Sequence, residues 1–369
     1  MDLKRVERLN IMFDDNKENC KIRVVIGLMD FLLNPAFEEN ENVHIGKYDD
    51  VADINNIISF SVNFSFDAIY TTFKLETKTP IQIFSPSMLD VYIVQDDGTE
   101  NYIVGGVILN MEISPQITFT YNCASLGWFL TKNIYSPSGI ENKLKISPFA
   151  LFNKFSKGCA GFKFLTDNDD IKTEEKAVKI GGTDTLATVV ENVCRENYLY
   201  VSNILGSLDM RIVGAFDKAE NIGTIDAETD DTPIYNVSAK YSPQDFFSNY
   251  ICISNSSERQ LSHFYEYEYS NAPFFSIKLL QAPLENLAVA VAEELIKAAI
   301  KSCVISFSVP DYKLFGKIIQ TCTAFNFNSP KHGLTNKELF LTDVNINFKE
   351  GFVSSNITAC LNAAREGSL

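Results

Sequence analysis

The sequence predicts an α+β protein in which strands dominate. Short alternating or fully apolar runs fill residues 20–125 and return over 232–365. A similar hairpin phrase closes both stretches, "YIVGGVILNMEISPQITFTYNCASL" at 102–126 and "LFLTDVNINFKEGFVSSNITACLN" at 339–362. The clearest long run of strong helix formers, "APLENLAVAVAEELIKAAIKSC", lies inside the second stretch. With 369 residues, 46% apolar and 12% aromatic, the chain has enough material for two or three packed domains and is not a disordered composition.

Residues 15–125 read as a first β unit, a small barrel or sandwich. Its strands are carried by "KIRVVIGLMDFLL", "IISFSVNFSFD", "FKLETK" and "DVYIVQDDGTENYIVGGVILNMEI". Asp97-Gly98 marks a hairpin turn, because glycine takes the left-handed conformation that such turns need. Gly105-Gly106 inside the following strand predicts a bulge or a sharp bend.

Residues 126–231 mix helix and strand. Thr183 or Asp184 is placed to cap a helix whose apolar positions Leu186, Val189, Val190 and Val193 recur at helical spacing. "YLYVS" and "LDMRIVGAF" then read as a hairpin joined by "NILGS". The Gly-Gly ahead of the helix lacks the Lys-Ser/Thr of a phosphate loop and the Rossmann glycine spacing, so it reads as a loop feeding a cap.

Residues 232–365 read as a second β unit interrupted by a helix over 284–302, with Pro283 at its start. In the closing hairpin Val344, Ile346 and Phe348 share one face, Phe340 points another way, and Lys349-Glu350-Gly351 makes the turn. By eye, Val107 aligns with Val344, Leu109 with Ile346 and Met111 with Phe348.

The chemistry-bearing residues do not converge. His44, His263 and His332 lie in three regions, each without a neighbouring Cys or second His, whereas a zinc site needs several ligands together. No GxSxG elbow, HExxH or kinase set occurs. The acidic runs "IDAETDD" at 225–231 and "DNDD" at 167–170 lack the glycine and closing glutamate of an EF-hand loop and read as solvated segments. Carboxylates are plentiful, and no spacing marks a pair, so a glycosidase pair stays open on sequence alone. No catalytic, metal-binding or cofactor-binding residue is assigned, and no cofactor is expected. Trp128 reads as a core or junction aromatic.

The eight cysteines, at 20, 123, 159, 194, 252, 303, 322 and 360, stand singly and partly within apolar runs, as expected of reduced, buried residues in a protein folded in a cytoplasm. The start, "MDLKRVERLNIMF", has no apolar h-region, and the chain has no apolar run of about 18 residues, so neither a secretory signal nor a transmembrane helix is expected. A net charge of −15 argues against a nucleic-acid-binding surface, which needs clustered Lys and Arg.

Taken in order, the first β unit, "GGTDTLATVVENVCRENYLYV", "NVSAKYSPQDFFSNYICIS", the Ala-rich helix and the closing hairpin resemble the baseplate hub of contractile-tailed bacteriophages, the Mu-like and late-control-D tail protein family. Gly182, Thr183, Val189, Val190, Cys194, Arg195, Tyr198, Leu199 and Val201 carry the first motif. Tyr241-Ser242 and Tyr250-Ile251-Cys252-Ile253 carry the second, with Lys240 where the family has Arg and Ser254-Asn255 where it has Gly-Gln.

The resemblance implies two related small β-barrels in one chain and a homotrimer whose six barrels match a sixfold tail tube above a threefold spike. Expected partners are the chain itself, the tail spike protein, the tail tube or tube-initiator protein and other baseplate proteins. DNA would pass through the channel without specific binding, and the location would be the virion, after synthesis in the host cytoplasm. The role implied is structural, not enzymatic. "MDFLLNPAF" and "QDFFSNY" are candidate contact segments, with core packing as the alternative for each. Two rivals stand beside this reading: a tail-associated cell-wall hydrolase, and another barrel-containing tail or injection-system component. A spike would be expected to continue into an OB-fold and a β-helical repeat, and neither follows here.

Overall fold

The structure, a computed structural model, describes residues 20–28, 52–53, 56–66, 68–81, 87–115, 117–132, 219–229, 233–254, 263–270, 272 and 274–362, with shorter pieces at 143–147, 150, 163–166, 176–179, 184–196, 200–203 and 209–213. Strands dominate it. The first group is β1 (Lys21–Leu28), β2 (Ala52–Asp53), β3 (Ile57–Ser65), β4 (Thr72–Thr77), β5 (Ser87–Val94), β6 (Glu100–Ile113) and β7 (Phe119–Ala124). Between the groups lie β8 (Lys143–Ile146), β9 (Lys163–Thr166), β10 (Lys176–Lys179), α1 (Leu186–Glu196), β11 (Tyr200–Asn203) and β12 (Asp209–Val213). The last group is β13 (Glu220–Asp226), β14 (Tyr235–Tyr241), β15 (Asn249–Ser254), β16 (Phe264–Glu268), β17 (Ile277–Ala282), α2 (Leu287–Ser302), β18 (Cys303–Val309), β19 (Lys313–Leu314), β20 (Lys317–Ile318), β21 (Thr323–Ser329), β22 (Leu334–Lys349) and β23 (Phe352–Leu361).

A single 13-stranded sheet runs β14-β18-β23-β22-β3-β4-β7-β6-β5-β1-β2, and β21 and β13 branch from β22. No pairing among the described residues closes this sheet into a barrel. Its two halves repeat one order. In the first, β3-β4-β7-β6-β5-β1 lie side by side; in the second, β14-β18-β23-β22-β21-β13 do. Numbered along the chain, both orders read two-three-six-five-four-one. The two hairpins seen in the sequence, β6–β7 and β22–β23, are the fifth and sixth strands of each set. Only the first strand differs in direction: β1 is antiparallel to β5, whereas β13 is parallel to β21.

One strand joins the sets. The first part of β22 pairs with β21, Leu339 opposite Phe325; the last part pairs with β3, Val344 opposite Phe64 and Ile346 opposite Val62. The change of partner falls at Thr342, which is left over between the β22–β23 pairs Leu341–Ala359 and Asp343–Thr358. Such a bulge inserts one residue into a two-residue period and swaps the faces. Leu339 and Leu341 point into the main core before it, and Val344, Ile346 and Phe348 after it. Phe340 points to the other side, into a small cluster with Ala324, Cys322 and Cys360. The hairpin turns through Glu350 (φ 52°) and Gly351 (φ 88°), two left-handed residues in succession, as a tight two-residue turn requires. The main core is shared by both sets: Val24, Leu75 and Val91 belong to the same cluster as Phe307, Phe325 and Ile346.

Other local expectations resolve in detail. Gly98 (φ 83°) makes the β5–β6 turn, with Thr99 N–H donating to Asp97 Oδ1 at 2.8 Å. Gly105 and Gly106 are not themselves the bulges; Ile103 and Leu109 are the residues left over on either side of them. The glycines admit close neighbours instead: a Cβ on Gly106 would lie 2.1 Å from the Ala124 carbonyl oxygen. Helix α1 forms where its apolar spacing places it, but its cap is Thr185, whose Oγ1 accepts from Thr188 N–H at 3.2 Å. β11 and β12 pair antiparallel, Val201 opposite Ile212.

Helix α2 follows a short turn over Leu284–Asn286. Leu287, Val291, Leu295 and Ala298 cover one face of the three-stranded sheet β16-β15-β17, and Ile296 packs with Phe340 behind the main sheet. Alanines let the helix lie between both layers. Among the described residues no helix is long and apolar enough to cross a membrane.

Candidate assembly interface

Among the described residues several strand edges of the sheet have no partner, those of β2 and β13 included, and two others carry exposed apolar side chains. β6 pairs with β5 over Glu100–Val107, and from there to Ile113 no described residue pairs with the same edge; residues 82–86, next in register before β5, lie outside the described residues. A row of apolar side chains stands there: Met111 is 42% exposed, Ile113 62% and Ile117, in the turn, 71%. At the far end of the sheet β14 pairs, among the described residues, only with β18. Its inner residues Val237 and Ala239 rest on the core, while Tyr241 is 49% exposed and its hydroxyl donates to the His332 carbonyl at 2.7 Å. Long edges with exposed apolar residues are templates for pairing with another chain.

A third surface is the outer face of the sheet β16-β15-β17, turned away from α2. Phe264, Ile277 and Leu279 (66% exposed) stand on its strands, and Phe275 (84%) precedes β17. Contiguous exposed apolar surface of this kind marks interaction sites in soluble proteins.

The segments singled out in the sequence fall elsewhere. "QDFFSNY" is packing, not contact surface: Phe246 stacks on Tyr269 at 4.9 Å and Tyr250 is buried under α2. "MDFLLNPAF", His44, Cys159 and "DNDD" lie outside the described residues. His332 sits in a short turn with its Nδ1 2.7 Å from Ser329 Oγ, and His263 is exposed beside β16. The run from Asp226 is a turn, not an ion loop. Asp226 accepts from Glu228 N–H and from Asn328 Nδ2, both at 3.0 Å, and these hydrogen bonds hold its carboxyl below the usual range. Glu228 is paired with Lys331, which likewise lowers its pKa.

Trp128 is half-buried in the turn Leu126–Thr131, edge-on to Phe129 and under Lys132 Nζ at 5.1 Å. That turn contacts α1, so the tryptophan lies at a junction between the first β unit and the middle region. None of the described cysteines is in a disulfide. Burial pushes Cys123 and Cys360 well above the usual thiol range, which keeps them unreactive. Among the described residues no group of three His, Cys, Asp or Glu could hold a metal ion.

This arrangement of strands occurs in solved structures. The 43 kDa tail protein of prophage MuSo2 from Shewanella oneidensis matches with a TM-score of 0.65 at 13% identity, over 92% of this chain and 98% of its own. The tail protein from Neisseria meningitidis MC58 matches with a TM-score of 0.67 at 12% identity, over 92% and 96%. This chain has the fold of phage tail proteins. An E. coli component of the type VI secretion system, itself structurally similar to T4 bacteriophage tail proteins, matches with a TM-score of 0.50 at 10% identity, over 84% of this chain and 74% of its own. No family model and no curated protein matches the sequence itself. The tail-protein fold is thus kept at low identity, as expected where a sheet needs only alternating apolar residues and tolerates their exchange.

Proposed function

We propose that this chain is the central hub of a phage tail baseplate, a structural protein without catalytic activity. Three copies would form a ring that joins the sixfold tail tube to the threefold spike, and DNA would leave through its channel. The observation that carries this reading is the repeated strand order. A chain that presents the same six-stranded unit twice offers six similar faces from three copies, which is what a sixfold partner needs. We take the two units to be related barrel-type modules, the first over roughly 15–125 and the second over roughly 232–365 together with β13, with the rest of 126–231 between them.

The acidity fits the same role. Duplex DNA carries one charge per about 1.7 Å, so a basic wall would hold it along its length, while carboxylates facing the channel would repel it over roughly a Debye length of 8 Å. The likeness to a type VI secretion component supports a second reading, the same hub geometry in an injection system that carries no DNA.

Mass measurement of the chain alone and mixed with its tail tube and spike proteins tests the proposal. A complex with three copies of this chain is expected. A chain that stays monomeric in both conditions would defeat it, and a positive channel surface in the assembled ring would defeat the DNA passage.

A further inference from the structure

Among the described residues the sheet β16-β15-β17 is covered on one side only. Tyr250, Cys252, Tyr265, Tyr267 and Leu280 pack under α2. By strand alternation Ile251, Ile253, Phe264, Ile277 and Leu279 stand on the other face. The register gathers them: Ile253 is opposite Phe264, and Ile251 is opposite Leu279. Phe264 is 63% exposed and Leu279 66%. Along β16, Glu266 opposite Ile251 and Glu268 opposite Asn249 border this apolar stripe. The three strands hold one lysine and no arginine, and that lysine, Lys278, is on the α2 side, its Nζ 3.8 Å from Glu294 Oε2. Residues 255–262, which connect β15 to β16, lie outside the described residues.

Such a face fits a segment that is apolar on one side and basic along its border. The chain carries one in "MDLKRVERLNIMF", residues 1–13, which also lie outside the described residues. Leu3, Val6, Leu9 and Phe13 recur at helical spacing, and Lys4, Arg5 and Arg8 fall together beside them. A helix over 3–13 is about 17 Å long. Strands of five or six residues run roughly 17–20 Å, so such a helix would cover the outer face as α2 covers the inner one. Three cations would then meet a border of two carboxylates, in a chain whose net charge is −15.

We propose that residues 3–13 of a second copy dock as an amphipathic helix on this face, with Leu9 against Leu279 and the cations beside Glu266 and Glu268. Reach sets the second copy as the donor. The arm enters at Cys20, at the end of β1 where Lys21 is opposite Val94, and Lys313, just past β18, donates to the neighbouring Gln95. The small sheet is attached at the other end of β18, through α2 and Cys303. β18 spans about 23 Å, whereas residues 14–19 reach about 20 Å when fully extended, and the outer face lies beyond α2. The contact requires a second copy but no ring and no fixed copy number, so it is independent of the hub reading.

Oxidation of a mixture of two full-length variants tests it: Leu9→Cys in one, and Leu279→Cys in the other, which carries a tag to change its size. Circular dichroism checks that each is folded, and exposed Leu279 can be replaced without opening the core. The expected product on a non-reducing gel is a linked pair of mixed size that needs both new cysteines. Adding Glu266→Lys/Glu268→Lys to the tagged chain is expected to lower its yield about tenfold. Adding Lys4→Glu/Arg5→Glu/Arg8→Glu to the other chain is expected to restore it. Folded variants that give no mixed pair, or a mixed pair indifferent to the charge reversals, overturn the docking. A link formed only within single chains of the double variant Leu9→Cys/Leu279→Cys overturns the second copy as donor. A three-copy assembly by mass beside any of these failures leaves the hub reading standing, and a charge-dependent mixed pair without that assembly defeats the hub reading alone.

Discussion

At Gly106 the fold tolerates no side chain, and the reason is a backbone atom. An added Cβ would meet the Ala124 carbonyl oxygen at 2.1 Å and the Ser125 Cα at 2.8 Å, on a strand that has no room to retreat. Gly98 differs: its φ of +83° favours glycine, but a Cβ there meets nothing within 4 Å. Gly106→Ala is therefore expected to cost on the order of 3 kcal/mol through overpacking. Gly98→Ala is expected to cost about 1 kcal/mol, since left-handed strain is partly offset by a stiffer unfolded chain. Denaturant titration of both variants checks the order, and equal losses would refute the packing account. In the sequence the Gly-Gly pair is legible as an irregularity in a strand. Its cause is not, because Ala124 arrives from the next strand and only the folded register brings it there. The same holds for the cap of α1: Thr183, Asp184 and Thr185 offer similar chemistry in the sequence, Thr183 lies outside the described residues, and it is Thr185 Oγ1 that accepts from Thr188 N–H.

At the scale of elements, β22 depends on one extra residue. Thr342 moves the inward positions from Leu339 and Leu341 to Val344, Ile346 and Phe348, and lets the strand leave β21 for β3. Deleting Thr342 would keep every apolar residue and turn one end of the strand inside out. We expect the deletion variant to be insoluble or unfolded by circular dichroism. Thr342→Ala, which loses only the 3.2 Å hydrogen bond from Thr342 Oγ1 to the Thr358 carbonyl, is expected to fold with a loss of about 1 kcal/mol. A soluble, native deletion variant would show that the register can slip. The alternation of Val344, Ile346 and Phe348 is plain in the sequence, and the odd phase of Phe340 hints at the bulge. Aligning the two hairpins by apolar pattern alone pairs Val107 with Val344, whereas the bulges place Met111 there. Alternation repeats every two residues and so fixes a register only up to even slips, while a bulge fixes it outright.

For the molecule as a whole, the pairing of β22 with β3 decides whether the two units are independent. Sequence reading separates them because "IISFSVNFSFD" and "LFLTDVNINF" each make sense as strands of their own unit. Nothing in either marks a partner across the chain, although Ser65 Oγ donates to Asp343 Oδ1 at 2.6 Å from 278 positions away. The joint is also apolar: Val62, Phe64, Val344 and Ile346 lie in the core cluster that both units share. Units that share a core and a strand should open together, whereas units tied by a linker open separately. Ile346→Ala, a buried truncation costing about 2–5 kcal/mol, is thus expected to lower the stability of both sides at once. Hydrogen exchange reads this directly. Amides of β18 in the second unit and of β4 in the first, neither adjacent to residue 346 along the chain, are expected to lose protection by similar factors. A loss confined to β18 and its neighbours would mean that the first unit folds alone and that β3 is only a docking edge. Coupled loss would mean that the joint is structural.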